Sequence, residues 1–312
     1  MRETIVRIAV IGAGGVGGYF GAKLASGGHD VAFVARGANL AAIREHGLRV
    51  ESAAGDIVLR DVVATGDAAS LPPVDVVMFC VKLWDAEQGA AQVQPLVARG
   101  GVVIPFQNGV DSADMLMRVL GASRVLGGVA YIAASIRSPG VVGHVGSMAR
   151  LRVGAFDRSL ADRAQAFVDA CRAARIDAEV APDIRRALWE KFVLLAALSG
   201  VTCLARQPVG SVRDDPDLHA TFAAAMRETV AVATAQGVLL ASDFVAGQLR
   251  VFDGLPAEMR SSMLNDLVAG RRLEAPWLCG RVAELAAQKG IAAPVNATIY
   301  AGLKPYLNGA AD

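Results

Sequence analysis

The fold is decided by residues 5–17, which read Ile-Val-Arg-Ile-Ala-Val-Ile-Gly-Ala-Gly-Gly-Val-Gly. The β-branched run over residues 5–11 predicts a buried strand, and Gly12 ends it. A helical pattern follows directly over residues 16–27. A GxGxxG motif between a strand and a helix is typical of a turn that binds a dinucleotide. The alternative is a glycine-rich turn that binds no ligand.

Three glycines of this motif have separate tasks. Gly12 makes the tight turn, Gly14 lets the backbone approach a pyrophosphate, and Gly17 lets the helix pack closely on the strand. The N–H groups of the first helical turn then face the phosphates, which the positive end of the helix dipole also attracts. We expect the whole motif to contact the cofactor: Gly12, Ala13, Gly14, Gly15, Val16 and Gly17.

Apolar strands alternate with helical patterns through the rest of the N-terminal half. Such alternation predicts a parallel sheet covered by helices on both faces, as in an α/β Rossmann domain. The predicted strands are 31–35, 74–81 and 101–105, the predicted helices are 38–46 and 85–98, and a small strand pair is predicted within 48–63. We expect residues 124–130, 141–145 and 150–155 to continue the same sheet.

The pattern changes at Pro182-Asp183, which is a helix-start signal. Only helical patterns follow, and they cover residues 183–204, 216–236, 240–252, 257–270 and 275–289. The domain boundary is therefore placed here. We expect a dinucleotide-binding Rossmann domain at residues 1–182 and an all-α domain with substrate-binding and catalytic residues at residues 183–312.

The residue after the second strand indicates which dinucleotide is bound. An NAD enzyme usually places Asp or Glu there, to accept a hydrogen bond from the ribose 2′-hydroxyl. This chain has Arg36 after Val34-Ala35. A guanidinium binds a 2′-phosphate through two hydrogen bonds, whereas a carboxylate repels it. The sequence therefore favours NADPH/NADP+ as cofactor, and the alternative is that Arg36 is a solvated loop residue.

Charge and hydropathy exclude several classes of partner. The 31 basic and 30 acidic residues leave a net charge of +1. No basic stripe is visible, so neither nucleic acid nor an anionic membrane is an expected partner. The longest apolar run, residues 192–205, is too short to span a bilayer and predicts a buried helix.

The cysteines and the N-terminus indicate the compartment. No two cysteines have metal-ligand spacing, which predicts buried free thiols in a reducing compartment and no bound metal. The cysteines are Cys80, Cys171, Cys203 and Cys279. Residues 1–10 lead straight into the glycine motif and lack the apolar stretch of a signal peptide. We therefore expect a cytoplasmic protein.

Five further segments resemble the ketopantoate reductase (2-dehydropantoate 2-reductase) family. In chain order they are Val81-Lys82, Gln107-Asn108-Gly109, Trp189-Glu190-Lys191, Ser261-Ser262-Met263-Leu264-Asn265-Asp266 and Glu274. The resemblance covers nearly the whole chain. It implies a Rossmann domain followed by an all-α domain, with the active site in the cleft between them. The activity that it implies is NADPH-dependent reduction of 2-dehydropantoate (ketopantoate) to pantoate in pantothenate biosynthesis.

The resemblance also implies roles for single residues. Lys191 matches the general acid that protonates the forming alkoxide, and Glu274 matches its acidic partner in the substrate pocket. Ser262 matches a residue that binds the substrate carboxylate. Asn108 matches a group at the nicotinamide and the substrate carbonyl, and Lys82 matches a lysine that borders the cofactor beside the substrate. Lys82, Asn108 and Glu274 are thus expected to contact the cofactor as well.

The chemistry of the reaction supports a lysine independently. Reduction of a 2-oxo acid develops negative charge on the carbonyl oxygen, so a cation must stabilise that oxygen and deliver a proton. Burial would lower the pKa of a lysine from about 10.4, and a nearby carboxylate would oppose that drop. The alternatives are an exposed helix residue for Lys191, a cap or turn for Ser262 and Asn108, and a surface lysine for Lys82.

Three positions depart from the family pattern. Lys191, Leu195 and Ser199 share one helix face, and the best-known members of the family carry asparagines at the second and third of these positions. Met259 stands where some members carry another asparagine. A pocket with fewer amides is more apolar, which leaves two hypotheses open. One is a ketopantoate reductase with a modified pocket, and the other is a reductase of a different, more apolar 2-oxo acid.

Two other functions compete with these. The first is another dehydrogenase of the Rossmann-plus-helical plan, which often uses NAD, and Arg36 argues against it. The second is a non-catalytic NADPH-sensing protein, which would lack a proton donor such as Lys191. The expected partner is a small-molecule 2-oxo acid, and the apolar C-terminal helices fit either a homodimer interface or a buried core.

Overall fold

The computed structural model describes residues 5–309, so the first four residues of the predicted N-terminal segment lie outside the described part. The chain forms two compact units, of which the first ends at Ala187 and the second begins at Leu188. The first unit is an α/β fold and the second is helical, as predicted.

The described part of the first unit contains ten strands and five α-helices. The strands are β1 (Arg7–Ile11), β2 (Asp30–Val34), β3 (Leu48–Ser52), β4 (Ile57–Leu59), β5 (Val63–Thr65), β6 (Val76–Phe79), β7 (Val102–Pro105), β8 (Leu126–Ser138), β9 (Val141–Ala155) and β10 (Asp177–Val180). The helices are α1 (Gly15–Ser26), α2 (Gly37–His46), α3 (Ala86–Ala98), α4 (Ser112–Leu120) and α5 (Ala161–Ala173). The helices α4 and α5 and the strand β10 were not predicted from the sequence.

The first sheet is parallel, with strand order β5-β2-β1-β6-β7. The central strand β1 is buried on both faces. Its residues Ile8 and Val10 enter one core, and Ala9 and Ile11 enter the other. This explains why the strand is apolar without alternation, and it confirms the predicted Rossmann sheet.

A second sheet contains β10-β9-β3-β4, with β8 paired to β9. The prediction that residues 124–130, 141–145 and 150–155 continue the first sheet was therefore wrong. These residues form a long antiparallel hairpin, β8 and β9, that turns at Gly140 with φ +78°. Only a single bridge, Val103 to Val125, joins this region to the first sheet among the described residues. An apolar strand pattern indicates a buried strand but does not specify its partner, which is why sequence reasoning failed here.

The second unit is built from helices, which confirms the predicted all-α C-terminal part of the fold. They are α6 (Ile184–Ala205), which starts in the first unit, α7 (Val209–Asp214), α8 (Pro216–Ala235), α9 (Phe244–Asp253), α10 (Ser262–Val268), α11 (Cys279–Gln288) and α12 (Pro294–Leu303). Within the described residues, α6 alone has the length and hydropathy of a membrane span, and 67% of that stretch is buried inside the protein. It is a core helix, as its apolar run predicted.

Candidate active site

The glycine turn after β1 has the geometry that the motif requires. Gly12 has φ +97°, its N–H donates to the Val34 carbonyl at 3.0 Å, and an added Cβ would lie 2.8 Å from the Cys80 carbonyl oxygen. At Gly17, an added Cβ would clash with the Gly12 carbonyl oxygen and lie 2.8 Å from Val10 Cγ1. These two glycines therefore allow close packing of backbone on backbone, as predicted.

Gly14 differs from its neighbours because it faces open space. An added Cβ there would meet no heavy atom within 4 Å. Gly14 lines a cavity of about 320 Å³, together with Arg36 and Lys82. The three residues follow β1, β2 and β6, so the cavity lies at the carboxyl ends of these parallel strands. This edge of an open α/β sheet is where dinucleotides bind, and the cradle at Gly14 fits a pyrophosphate.

Arg36 is the N-cap residue of α2, and its side chain is 63% exposed. Its Nη2 lies 2.5 Å from a carboxylate oxygen of Asp85, in the turn that precedes α3. Both residues line the cavity. Lys82 lies in the same turn, with its Nζ 5.3 Å from the centroid of the Trp84 ring. The predicted phosphate ligand Arg36 is thus at the cavity, and sequence reasoning missed its partner Asp85.

Two amide side chains near the cavity were also missed. Asn39 Nδ2 donates to the Ala13 carbonyl at 2.9 Å, and its Oδ1 accepts from the Gly140 N–H at 2.9 Å. It therefore fastens the glycine turn to the β8–β9 hairpin. Gln107 Nε2 donates to the Val81 carbonyl at 2.8 Å and holds the strand end next to Lys82. Gln107 was noted only as part of the Gln107-Asn108-Gly109 segment, and neither amide was assigned a role from the sequence because their partners lie far away in the chain.

The predicted Asn108 lies in the loop after β7 and is half-buried. The next residue, Gly109, has φ +87°, a conformation that favours glycine. The loop follows a strand of the same parallel sheet that provides Gly14 and Lys82. Asn108 therefore belongs to the same sheet edge as the cavity residues.

The second unit holds the predicted catalytic pair. Lys191 lies on α6 and is half-buried, and Glu274 is buried in front of a short turn, 275–277. Burial lowers the pKa of the Lys191 ammonium to about 8, while the charge of Glu274 counteracts this drop. The structure thus brings the two residues together. An acid with a pKa near neutrality can both hold and release a proton during turnover.

The helix face that carries Lys191 is largely apolar. Leu195 is half-buried, and Ser199 is fully buried. The Ser199 hydroxyl has no hydrogen-bond partner among the described protein atoms. Met259, in the loop before α10, is half-buried. These three positions therefore offer fewer hydrogen bonds than asparagines would.

Two adjacent serines at the start of α10 have different environments. Ser261 is buried and is the N-cap residue, with Oγ accepting from the Leu264 N–H at 3.0 Å and lying 2.9 Å from Thr202 Oγ1. The predicted carboxylate ligand, Ser262, is the first helical residue and is exposed. The cap is thus Ser261, which leaves the Ser262 hydroxyl outside that capping interaction.

We expect truncation of these two serines to affect stability differently. Ser261→Ala should lower the free energy of unfolding by about 1–2 kcal/mol, because a helix cap and a buried hydrogen bond are both lost. Ser262→Ala should leave stability within about 0.5 kcal/mol. Urea denaturation of both variants measures this. Equal destabilisation by the two substitutions would contradict the assignment of the cap to Ser261.

Two of the four histidines, His29 and His144, occupy buried structural positions. His144 is buried, with Nδ1 2.8 Å from Ser52 Oγ and Nε2 3.0 Å from the Met148 carbonyl oxygen. His29 is buried and bonds the Ala170 carbonyl through Nε2. Both rings are thus used inside the first unit. In residues 5–309, no group of three or more His, Cys, Asp or Glu side chains is arranged to hold a metal.

The fold and the site together define an NAD(P)-dependent oxidoreductase: a Rossmann unit with a glycine turn, followed by a helical unit with a lysine–glutamate pair. The sequence profile described as Ketopantoate reductase PanE/ApbA matches residues 8–158, and the profile of its C-terminal part matches residues 183–307. The chain belongs to the ketopantoate reductase family.

Individual relatives agree with this assignment. The 2-dehydropantoate 2-reductase of Halobacterium salinarum is 33% identical over 94% of this chain and 96% of its own. A crystal structure of the 2-dehydropantoate 2-reductase from Geobacter metallireducens has a TM-score of 0.90 at 31% identity, and it covers 96% of this chain and 99% of that one. D-mandelate dehydrogenase with NADH and anilino(oxo)acetate has a TM-score of 0.88 at 19% identity, covering 96% and 97%. The last likeness concerns the fold alone.

Proposed function

We propose that this protein catalyses the NADPH-dependent reduction of 2-dehydropantoate to pantoate, with Lys191 as general acid. The observation that carries the proposal is the pairing of Lys191 with Glu274 in the helical unit, where burial brings the pKa of the lysine to about 8. A chain that only sensed NADPH would have no use for such a proton donor. The relatives named 2-dehydropantoate 2-reductases support this choice of substrate.

The residues divide the reaction between them. When bound at the cavity of the first unit, a nicotinamide cofactor would supply the hydride that the carbonyl carbon of the substrate accepts. As the carbonyl oxygen gains negative charge, the Lys191 ammonium stabilises it and transfers a proton to it, which leaves an alcohol and a neutral lysine. Glu274 favours the protonated form of Lys191 before the reaction. We assign the substrate carboxylate to Ser262 and the carbonyl oxygen to Asn108 as well as Lys191.

The cofactor assignment depends on the cavity of the first unit. The Gly14 cradle accommodates the pyrophosphate, Arg36 binds the 2′-phosphate of NADPH, and Lys82 borders the cofactor beside the substrate. An enzyme of this kind supplies pantoate for pantothenate biosynthesis. We place it in the cytoplasm, with a small 2-oxo acid as its partner.

A second candidate function is reduction of a different 2-oxo acid by the same mechanism. The observation that favours it is the apolar face of α6 beside Lys191, where Leu195 is half-buried and the Ser199 hydroxyl is buried. A site that hydrogen-bonds a substrate hydroxyl rejects an analogue without it strongly, whereas an apolar pocket discriminates weakly. The two functions therefore differ in how much the 4-hydroxyl of ketopantoate contributes to kcat/KM.

The deciding experiment compares ketopantoate with 3,3-dimethyl-2-oxobutanoate, which lacks only that hydroxyl. Reduction of ketopantoate as the main activity predicts that kcat/KM for NADPH oxidation favours ketopantoate by a factor of about 10² or more, because the analogue leaves groups that bind the hydroxyl without a partner. Values within about threefold of each other would favour the second candidate. NADPH binding without oxidation across a panel of 2-oxo acids would contradict both candidates and support a sensor.

A further inference from the structure

The side chain that should bind the 2′-phosphate is already bound to a carboxylate. Arg36 Nη2 lies 2.5 Å from Asp85 Oδ2. Asp85 is the less exposed of the two, with 25% of its side chain accessible against 63% for Arg36. Its backbone N–H donates to the Lys82 carbonyl at 2.9 Å, which fixes it in a tight turn. Asp85 is therefore the anchored partner, and Arg36 is the one with room to move.

The cavity has few charged side chains, so the Asp85 carboxylate has a large share in the electrostatic environment of a bound ligand. Among the described residues that line it, the charged ones are Arg36, Lys82 and Asp85. A 2′-phosphate must share Arg36 with Asp85 and lies next to a like charge, which weakens its binding. A 2′-hydroxyl has the opposite preference, because it can donate a hydrogen bond to a carboxylate. This is the role that an acidic residue has in NAD-binding Rossmann folds.

We propose that Asp85 is a specificity-determining residue, which competes with the 2′-phosphate for Arg36 and accepts a hydrogen bond from the 2′-hydroxyl of NADH. The chain thus carries both elements of cofactor choice on one cavity wall, a guanidinium for NADPH and a carboxylate for NADH. The enzyme accepts both cofactors, and its affinities for them differ by less than about tenfold. The difference is small because an exposed ion pair contributes little free energy to binding. This inference rests on the proposed assignment of Arg36 to the 2′-phosphate.

The test uses the adenosine half of the cofactor as a probe. Binding of 2′,5′-ADP and 5′-AMP to the full chain is measured by isothermal titration calorimetry, with no substrate and no turnover. Asp85→Asn keeps the size of the side chain and removes its charge. We expect it to tighten the binding of 2′,5′-ADP by about fivefold, because Arg36 is released from an exposed ion pair, and to weaken the binding of 5′-AMP by about threefold.

The matched control is Glu87→Gln, which removes an exposed carboxylate two residues along the same segment that does not line the cavity. It should change the affinity for neither probe by more than about twofold, because solvent screens exposed charges. An equal effect of Glu87→Gln and Asp85→Asn would overturn the proposal. It would indicate a general electrostatic effect of the carboxylates in this segment and not a competition between Asp85 and the 2′-phosphate for Arg36. Unchanged selectivity in Asp85→Asn would also overturn it.

A third variant separates this proposal from the assignment on which it rests. Arg36→Gln should weaken the binding of 2′,5′-ADP by about tenfold or more and leave the binding of 5′-AMP unchanged. If Arg36→Gln has no effect, the assigned phosphate ligand is wrong and the Asp85 proposal fails with it. The remaining outcome is that Arg36→Gln weakens the binding of 2′,5′-ADP while Asp85→Asn has the same selectivity between 2′,5′-ADP and 5′-AMP as the wild type. In that case the cofactor assignment stands and the Asp85 proposal alone is overturned.

Discussion

Lys191→Met should reduce the turnover of 2-oxo acid by a factor of about 10²–10⁴, the usual range for loss of a general acid. Methionine keeps an unbranched side chain on α6 and removes both the charge and the proton. Steady-state oxidation of NADPH measures the loss. Dinucleotide binding should remain within about twofold of the wild type, because the glycine turn and Arg36 belong to the first unit. A variant with turnover within threefold of the wild type would refute the role of Lys191.

The pH profile gives an independent check on the same residue. The pKa of Lys191 is about 8, below its ordinary value of 10.5, so the ammonium is present below that pH and is lost above it. Reduction should therefore fall as the pH rises through about 8. Oxidation of the hydroxy acid needs the neutral amine and should rise over the same interval. A flat profile in both directions would contradict the assignment.

Glu274→Gln extends this check to the partner residue. The carboxylate raises the pKa of Lys191, so its removal should move the alkaline limb of the reduction profile to lower pH. The control is Glu284→Gln, an exposed position on α11, which should leave the limb in place. Identical profiles for the two variants would show that Glu274 does not act on the lysine.

Gly17→Ala should lower the free energy of unfolding by about 3 kcal/mol, a large part of the stability of an ordinary domain. The added methyl group would clash with the Gly12 carbonyl oxygen and approach Val10 Cγ1 to 2.8 Å. Backbone cannot move aside as a flexible side chain can, so α1 must shift away from β1. Thermal and urea denaturation without ligand measure the loss.

Gly14→Ala is the matched control, with the opposite expected result. A Cβ at Gly14 meets no heavy atom within 4 Å, and the backbone there is extended, so the variant should melt within about 2 °C of the wild type. It should nevertheless weaken dinucleotide binding by about tenfold or more, because the methyl group occupies the approach to the pyrophosphate. Loss of binding with retained stability separates the two glycines. Unchanged binding by Gly14→Ala would place the pyrophosphate elsewhere.

The parts of the site that were predicted from the sequence depend on local pattern. The spacing of Gly12, Gly14 and Gly17 after a β-branched run specifies a strand, a turn and a helix over consecutive residues, which is why the Rossmann turn was correct. The residue after the second strand, Arg36, was placed at the cavity by the same short-range logic. Lys191 and Glu274 came from resemblance to a family, and the structure brings them together.

The features that were missed depend on contacts between distant segments. Asp85 and Arg36 are separated by 49 residues, and nothing near either residue indicates the other. The same holds for Asn39, whose amide reaches across 101 residues to the Gly140 N–H. A serine is a good cap at either of two adjacent positions, and only the direction of the Ser261 hydroxyl assigns the cap to it.

By itself, the sequence determined the two-part plan and the dinucleotide turn, because these follow from the order and spacing of residue types, and its resemblance to a family indicated the candidate acid. Tertiary structure alone decided the partner of the β8–β9 hairpin, the pKa of Lys191 and the pairing of Arg36 with Asp85. Strand partners, desolvation and ion pairs are properties of the space around a residue. The segments that surround a residue are distant in the chain, and the local sequence pattern does not specify which of them pack against it.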